Sequence, residues 1–406
     1  MNSIPQSERK HIVFVGRRNA GKSSLVNRFI GQDLSIVSST PGTTTDPVKK
    51  AMELLPFGPV VLVDTAGIDD IGELGEKRIG KTMKAISEAD FAIVVLDCQY
   101  KLDENEKSLF KHLREMGVNY LAAVNKTDLG VNPSLLEELN FLQIPFLPVS
   151  CNAELGIYEL KEMISKMIPG DEEQPLVGDL VKQHDVIVLV VPIDLGAPKG
   201  RLIMPQVQTI RESLDEDAIV VIAKDKELRS ALSRLSSLPK IVVTDSQAIM
   251  RVVADVPDEV PLTTFSILMA RYKGDLAEYI KGVKRIEELR DGDKVLIAEA
   301  CSHHAQEDDI GKVKIPRWLR NHTKKELQID IRNGHDYPEN LKDYALIIHC
   351  GGCMLTRKAM QVRIKQAKYA EVPIVNYGVA ISYIHGAMPR AIEPFEDAIS
   401  VWNSLS

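Results

Sequence analysis

The chain has 406 residues and a formal net charge of −7 at pH 7, so it is long enough for about two to three domains and lacks the basic surplus typical of nucleic-acid binding. No apolar run approaches the ~20 residues needed to cross a bilayer, and residues 1–10 lack the apolar stretch of a signal peptide. The five cysteines are an odd number, which argues against a disulfide framework and favours the reducing cytoplasm. From the charge, the apolar runs and the cysteines together, we expect a cytoplasmic protein that binds neither nucleic acid nor membrane.

The first part of the chain has the pattern of a parallel α/β sheet, in which apolar strand runs alternate with helical spacing. The predicted strands are His11–Gly16, Val60–Asp64, Phe91–Asp97, Tyr120–Asn125 and Phe146–Ser150. Helical spacing over Gly156–Ile168 closes the pattern, and the polar run 169–175, with turn residues at both ends, predicts a linker. We therefore expect a first domain over residues 1–170.

A phosphate-binding loop follows the first predicted strand. The run Gly16-Arg-Arg-Asn-Ala-Gly-Lys-Ser23 fits the P-loop pattern G-x-x-x-x-G-K-[ST] and precedes an apolar helical run, which is the context that the motif requires. Its backbone N–H groups are expected to surround phosphate oxygens, Lys22 to reach the β and γ phosphates, and Ser23 to hold Mg²⁺. The residues predicted to line this part of the pocket are Gly16, Asn19, Ala20, Gly21, Lys22, Ser23 and Ser24.

Further elements of a nucleotide switch follow the P-loop in the expected order. Asp64-Thr-Ala-Gly67 lies at the end of a strand, where Asp64 is placed to hold Mg²⁺ through water and the Gly67 amide to meet the γ-phosphate. Thr44 lies in a segment with the composition of a switch loop and is the expected Mg²⁺-sensing threonine. The predicted catalytic set is Lys22, Ser23, Thr44, Asp64 and Gly67.

The base-reading element is Asn125-Lys126-Thr-Asp128. The Asp128 carboxylate can accept two parallel N–H bonds from guanine, whereas adenine lacks that pair of donors, so we predict GTP rather than ATP. Ser150 and Cys151 occupy the place of a further base-contacting loop, although its usual form is Ser-Ala.

Together these motifs resemble the tRNA-modification and Era-like branch of the translation-factor-related GTPases. The resemblance implies that Asn19 coordinates K⁺, which would stabilise transition-state charge much as an arginine finger does. Ile68 stands where Ras-like proteins carry a water-orienting glutamine, and an isoleucine cannot position water. We therefore predict a slow, K⁺-stimulated GTPase.

A second alternating stretch predicts a small α/β domain over residues 178–260. Its expected strands are Val186–Val191, Ala218–Ala223 and Lys240–Val243. Its expected helices are Pro205–Leu214, Glu227–Leu235 and Gln247–Val253. Its strand edges are suited to pairing with another copy of the chain, and a purely structural spacer is an equal alternative.

The third section, residues 261–406, has helical spacing over Ala270–Leu289 and a capping threonine, Thr356, before a helix that ends near Ala370. The strands expected here are Lys294–Ala298, Tyr344–His349 and Pro373–Tyr377. The result is an α/β chain of three domains.

Soft metal-ligand residues follow two of these strands. Cys301 and His303 come after the first, and His349, Cys350 and Cys353 come at the end of the second. The carboxyl ends of parallel strands meet at one edge of a sheet, and the two glycines between Cys350 and Cys353 permit a tight turn.

Four interpretations of these residues compete. Zinc suits two cysteines and two histidines, but five candidates exceed four ligands and the spacing of zinc fingers is absent. A redox pair of Cys350 and Cys353 leaves Cys301 unexplained, and burial in the core is the third interpretation. The fourth is an iron–sulfur cluster on three thiolates, in which one iron of a cubane binds a histidine, a carboxylate, water or a guest ligand.

The GTPase motifs followed by this cysteine pattern resemble the FeFe-hydrogenase maturation GTPase family (HydF) over essentially the whole chain, including the run Asp309-Ile-Gly-Lys-Val-Lys-Ile-Pro-Arg-Trp-Leu319. The resemblance implies a middle domain that forms a homodimer and a 4Fe–4S cluster on Cys301, Cys350 and Cys353. It also implies a scaffold that receives a two-iron precursor from two radical-SAM maturases and passes it to apo-FeFe-hydrogenase.

His303 and His349 are the motif candidates for the fourth cluster ligand, and Glu307 is a candidate for a weak oxygen ligand. Iron of this kind prefers sulfur and imidazole to carboxylate, so a carboxylate here would be displaced easily, as a scaffold requires. Two other functions compete with the scaffold. One is a tRNA- or ribosome-associated GTPase with a zinc-binding recognition domain, and the other is a redox enzyme that uses the cluster for electron transfer.

Overall fold

The computed structural model describes residues 5–31, 47–70, 73–168, 174–192, 202–300, 309–334, 337–338 and 340–405. The chain forms two compact units, Met1–Asp171 and Glu172–Ser406. Within the described ranges, no helix is both long and apolar enough to cross a bilayer. Some residues singled out from the sequence lie outside those ranges, namely Thr44, most of the linker 169–175, Cys301, His303 and Glu307.

The first unit is a six-stranded sheet with helices around it. Its strands are β1 (Lys10–Val15), β2 (Val48–Leu54), β3 (Gly58–Asp64), β4 (Phe91–Asp97), β5 (Asn119–Asn125) and β6 (Phe146–Pro148). Its helices are α1 (Lys22–Ile30), α2 (Glu73–Ser87), α3 (Glu104–Glu115), α4 (Pro133–Phe141) and α5 (Ile157–Met167).

The strand order in this sheet is β2-β3-β1-β4-β5-β6, and every neighbouring pair is parallel except β2 with β3. Strand β4 lies near the centre and is buried over its whole length, as expected when helices cover both faces of a parallel sheet. The five predicted strands are confirmed. Strand β2 was missed because it is an edge strand whose charged residues hide its pattern.

The second unit contains two four-stranded parallel sheets. The first has the order β10-β9-β7-β8 and the second the order β12-β11-β13-β14. The strands are β7 (Val186–Val190), β8 (Ile219–Ala223), β9 (Ile241–Thr244), β10 (Leu262–Thr264), β11 (Lys294–Glu299), β12 (Gln328–Asn333), β13 (Leu346–His349) and β14 (Ile374–Asn376).

The helices of the second unit share one apolar core with both sheets. They are α6 (Met204–Asp215), α7 (Leu228–Leu232), α8 (Ile249–Asp255), α9 (Phe265–Lys273), α10 (Leu276–Val283), α11 (Ile315–Thr323), α12 (Arg357–Tyr369), α13 (Tyr377–Ile384), α14 (Met388–Ile392) and α15 (Glu396–Ser404). The first sheet takes β10 from beyond residue 260, where the sequence placed the start of the third section.

The prediction of one helix over Ala270–Leu289 is wrong. Helix α9 ends at Lys273, and the Asp275 carboxylate then accepts a hydrogen bond from the Glu278 amide and begins α10. An aspartate after a glycine is a strong signal for a new helix, because the carboxylate satisfies an N–H group of the first turn. The break places the end of α9 beside the loop that follows β13.

Candidate functional site

The P-loop joins the carboxyl end of β1 to α1. Gly16 and Gly21 adopt φ angles of 147° and 97°, which strain any other residue. A Cβ atom at Gly16 would lie 2.3 Å from the carbonyl oxygen of Val95, so the loop also needs a glycine for space. Ser23 and Ser24 lie in the first turn of α1, which has no side-chain cap. The first amides of that helix are therefore oriented to receive an anion.

Lys22 is held inside this loop. Its ammonium donates hydrogen bonds to the carbonyl oxygens of Gly16 (3.0 Å) and Arg17 (2.7 Å). Burial lowers the pKa of Lys22, although the carboxylates of Asp64 and Asp69 oppose that shift. A cation in this position is suited to phosphate oxygens, which attract it more strongly than neutral carbonyl groups do.

Asp64 lies at the end of β3, beside the start of α1. Burial raises the pKa of its carboxyl group, while a hydrogen bond with the Ser23 side chain lowers it. Within the described part of the chain, Oδ1 of Asp64 is buried and has no hydrogen-bond partner. A buried carboxylate oxygen of this kind needs a cation or water. The Ser23 hydroxyl and the Asp64 carboxylate are the donor set that hydrated Mg²⁺ prefers.

Asn125 connects the base-reading element to the P-loop. Its side-chain amide donates to the carbonyl oxygen of Ala20 (2.9 Å), and its Oδ1 accepts from the amide of Cys151 (3.3 Å). The Ser150 hydroxyl donates to the Asp128 carboxylate and so orients it. The sequence motifs therefore converge in the first unit, and Asn125 has a structural role that its motif did not reveal.

Lys126 and Asn19 have left-handed backbone conformations, with φ angles of 66° and 58°. The ammonium of Lys126 lies 2.6 Å from the Asp97 carboxylate, which fixes the backbone turn before Asp128. The K⁺ role of Asn19 stays a prediction.

Gly67 and Ile68 lie against the P-loop. The Ile68 amide donates to the carbonyl oxygen of Gly16 (3.2 Å), and the Arg18 amide donates to the Asp69 carboxylate (2.7 Å). A Cβ atom at Gly67 would lie 2.5 Å from Cγ of Arg18. The glycine is thus required for this close approach, and the Ile68 side chain is buried instead of directed at solvent.

In the second unit, β11 and β13 are parallel neighbours, with Ala298 paired to His349. The Ala300 amide, one residue before Cys301, donates a hydrogen bond to the Cys350 sulfur over 3.1 Å. The described chain therefore lies directly beside Cys350 at Ala300, the residue before Cys301 in the sequence. Backbone N–H groups that point at sulfur stabilise thiolate, which is the form that binds metal.

The Cys350–Cys353 loop contains the predicted turn. Gly352 adopts a φ angle of 65°, and the Leu355 amide donates to its carbonyl oxygen (2.9 Å). Thr356 caps α12 as predicted, by accepting from the Ala359 amide (3.1 Å). The described residues contain no group of three or more metal-ligating side chains. The third predicted thiolate, Cys301, lies outside them.

His349 is fully buried and both of its ring nitrogens are engaged. Nδ1 lies 2.8 Å from the Cys350 carbonyl oxygen, and Nε2 lies 2.9 Å from an Arg363 nitrogen. Burial and the neighbouring guanidinium lower the pKa of His349 to about 3, so the imidazole is neutral near pH 7. In this conformation His349 offers no nitrogen to a metal. This geometry argues against its predicted role as the fourth ligand and leaves His303 and Glu307.

Sequence reasoning missed the buried charged residues around this loop. Lys273 and Arg363 occupy positions on the buried stripes of α9 and α12. A charged residue at an apolar position of a helical repeat was the available signal. Glu299 is also buried and accepts a hydrogen bond from the Tyr377 hydroxyl (3.3 Å).

Models of known families match most of the chain. Residues 176–274 match the hydrogen maturase F dimerization domain and residues 277–394 match the hydrogen maturase F tetramerization domain. Residues 11–126 match the model described as 50S ribosome-binding GTPase.

Curated relatives match the GTPase part. The tRNA modification GTPase MnmE of Heliobacterium modesticaldum is 38% identical over 164 residues, which are 39% of this chain and 34% of that protein. MnmE of Natranaerobius thermophilus is 34% identical over 220 residues, 52% of this chain and 45% of that protein. The chain thus spans less than half the length of these relatives. A solved structure of Aquifex aeolicus Era bound to GDP and aluminium fluoride is 18% identical, with a TM-score of 0.34 over 53% of this chain and 94% of that one.

Proposed function

Because this chain belongs to the hydrogen maturase F family and hydrolyses GTP, we propose that it is an iron–sulfur scaffold for FeFe-hydrogenase maturation. It carries the two-iron precursor of the hydrogenase active site and transfers that precursor to apo-hydrogenase. Two radical-SAM maturases supply the precursor, and the cytoplasm is the compartment in which the cysteines stay reduced. The observation that carries the proposal is the hydrogen bond from the Ala300 amide to the Cys350 sulfur.

That hydrogen bond supports a cluster because it links Cys350 to the residue that precedes another predicted ligand, Cys301. Cys301 follows Ala300 by one residue, and Cys353 follows Cys350 after a glycine turn. Cys301, Cys350 and Cys353 would hold a 4Fe–4S cluster, and three thiolates leave one iron for an exchangeable ligand. His303 and Glu307 are the remaining candidates for that position. An iron that exchanges its ligand gives the guest precursor a place to bind.

In this proposal, GTP hydrolysis acts as a switch. Ser23 and Thr44 hold the Mg²⁺ ion that hydrolysis needs, and Asp64 holds it through water. Asn19 binds K⁺, and the reaction is slow because Ile68 cannot orient the attacking water. The buried side chain of Ile68 supports slow hydrolysis, and the buried Asp64 oxygen, which has no hydrogen-bond partner among the described residues, supports the Mg²⁺ role.

The first sheet of the second unit is the proposed surface for homodimer formation. Strand β8 pairs only with β7 in the described structure, so its other edge has unpaired backbone groups. Ile219 and Ile222 on this strand are 52% and 49% exposed. An exposed apolar edge strand is suited to pair with a second copy, and this region matches a dimerization domain.

Anaerobic reconstitution with iron and sulfide tests the proposal. We expect a brown protein with about four irons per chain, as a 4Fe–4S cluster requires. Once the maturases have loaded this protein with the precursor, it should activate apo-hydrogenase. Replacement of Cys301, Cys350 or Cys353 by serine should abolish the iron while GTP hydrolysis continues. A colourless protein with stoichiometric zinc would instead favour the alternative, a tRNA- or ribosome-associated GTPase with a zinc-binding domain.

A further inference from the structure

Two buried cations lie against the loop that carries Cys350 and Cys353. Lys273, the last residue of α9, is 1% exposed, and Arg363, in α12, is 4% exposed. Removing a cation from water is unfavourable unless protein groups take over its hydrogen bonds. The groups that do so therefore show what these side chains hold in place.

Each cation begins a hydrogen-bond path that ends on one of the cysteines. The Lys273 ammonium donates to the carbonyl oxygens of Cys353 (3.3 Å) and Leu355 (2.8 Å). An Arg363 nitrogen lies 2.9 Å from Nε2 of His349, and Nδ1 of His349 lies 2.8 Å from the Cys350 carbonyl oxygen. Arginine can only donate, so Nε2 is the acceptor and the proton of the neutral ring is on Nδ1.

Both paths are anchored at their far ends. Arg363 also donates to the carbonyl oxygen of Gly334 (2.7 Å), and its guanidinium lies 4.7 Å from the ring centre of Tyr337. Gln361, on the same helix, donates to the carbonyl oxygen of Gly274 (2.8 Å), just after Lys273. The positions of the two cations are thus fixed relative to each other.

We propose that Lys273 and Arg363 are positioning residues for the cluster site. They hold the backbone on either side of the glycine turn, and their positive charge favours an anionic cluster bound at Cys350 and Cys353. His349 is the link between Arg363 and Cys350. This inference rests on the proposed function, because it assigns these residues to the cluster.

The test compares Lys273→Met and Arg363→Met with wild type after anaerobic reconstitution. The matched control is Arg390→Met, because Arg390 also donates to backbone carbonyl oxygens, those of Pro257, Asp258 and Val260. Iron and sulfide per chain, the rate of iron loss to a chelator, and the midpoint potential from EPR are measured for each protein.

We expect iron loss to be about tenfold faster in both methionine variants, because removing a residue that supports a metal ligand typically weakens metal binding by at least that factor. We also expect a more negative midpoint potential, because each variant has lost a positive charge near the cluster. The control should match wild type. Equal rates and potentials in all four proteins overturn the inference. A wild-type protein that takes up no cluster refutes the proposed function instead.

The methionine variants have a counterpart that keeps a donor. Lys273→Gln and Arg363→Gln retain an amide N–H but lose the charge. If a methionine variant does not fold, as judged by circular dichroism and GTP hydrolysis, the glutamine variant is measured in its place. A more negative potential then supports the inference, and an unchanged potential together with an unchanged rate of iron loss overturns it.

Discussion

The side-chain amide of Asn125 donates a hydrogen bond to the carbonyl oxygen of Ala20 over 2.9 Å, and so joins the base-reading element to the phosphate-binding loop. A nucleotide spans both elements when it binds. Their relative position is therefore fixed before binding by a bond between residues that are far apart in the sequence.

Asn125→Ala tests this connection. The change removes two hydrogen bonds and leaves the Ala20 carbonyl group buried without a donor, which destabilises the first unit by ~1–3 kcal/mol. We expect the affinity for GTP, measured by titration calorimetry, to fall about tenfold or more. Asn132→Ala is the control, since Asn132 caps α4 and donates to the carbonyl oxygen of Gln99. Among the described residues its side chain has no hydrogen bond to the P-loop, and its loss destabilises by ~1 kcal/mol. An unchanged affinity in Asn125→Ala would mean that the two elements align without this bond.

The predicted K⁺ dependence is tested at Asn19. One well-placed cation that stabilises the transition state by ~1.4 kcal/mol makes hydrolysis about tenfold faster. We expect wild type to hydrolyse GTP faster in KCl than in NaCl by about this factor, and Asn19→Ala to lose the difference. Asn27→Ala on α1 should keep it. Equal rates of wild type in the two salts refute the K⁺ site.

Asp64→Asn separates stability from catalysis. Burial raises the pKa of Asp64 above its ordinary value of 3.8, so the folded protein binds this proton more tightly than the unfolded one. The free energy of unfolding therefore falls as the pH rises from the ordinary pKa of 3.8 through the raised pKa of the folded protein. It stays lower at every pH above that raised pKa. Without nucleotide and Mg²⁺, Asp64→Asn should melt at a higher temperature than wild type at about pH 7, and the difference should shrink at about pH 4. Thermal melts in EDTA measure this.

The same variant should lose Mg²⁺-dependent GTP hydrolysis, because an amide replaces the carboxylate that holds the hydrated ion. A variant that melts below wild type at both pH values contradicts the assignment of a destabilising buried charge. Retained hydrolysis contradicts the Mg²⁺ role.

Gly352→Ala tests the turn between the cysteines. Gly352 has a φ angle of 65°, and a Cβ atom there would lie 2.2 Å from the Met360 methyl group. Alanine in this region of φ destabilises by ~1–2 kcal/mol and shifts the turn. Gly386→Ala is the control, with a φ angle of 73° and no atom within 4 Å of an added Cβ. Both variants should melt earlier, but only Gly352→Ala should hold less iron after reconstitution. Equal iron contents would exclude a role of the turn in cluster binding.

The parts of the sites that could be predicted are those written as contiguous motifs. The P-loop, Asp64 and Asp128 follow from fixed spacing, because one strand–loop–helix unit positions each of them. The bond between Asn125 and Ala20 could not be predicted, since it depends on how β1 and β5 lie in the sheet.

Arg363 and Lys273 were missed for another reason. Each is a single charged residue among the mostly apolar residues on the buried face of its helix. The buried face of a helix is predicted from the majority of its residues, so one charged residue on it is overlooked. His349 is one of three candidates for the fourth cluster ligand because a histidine beside a cysteine is a common ligand pattern. Its burial and its contact with Arg363, fourteen positions later in the chain, argue for a structural role instead.

Ile222→Lys tests self-association through β8. Lysine on an edge strand opposes pairing of edges, because its charge loses water when a second strand covers it. We expect the mass in solution, measured by light scattering at equal concentrations, to be lower than that of wild type. Leu238→Lys is the control, since Leu238 is 59% exposed and lies outside the strands. If both variants keep the wild-type mass, association uses another surface, and the exposed isoleucines of β8 need a different partner.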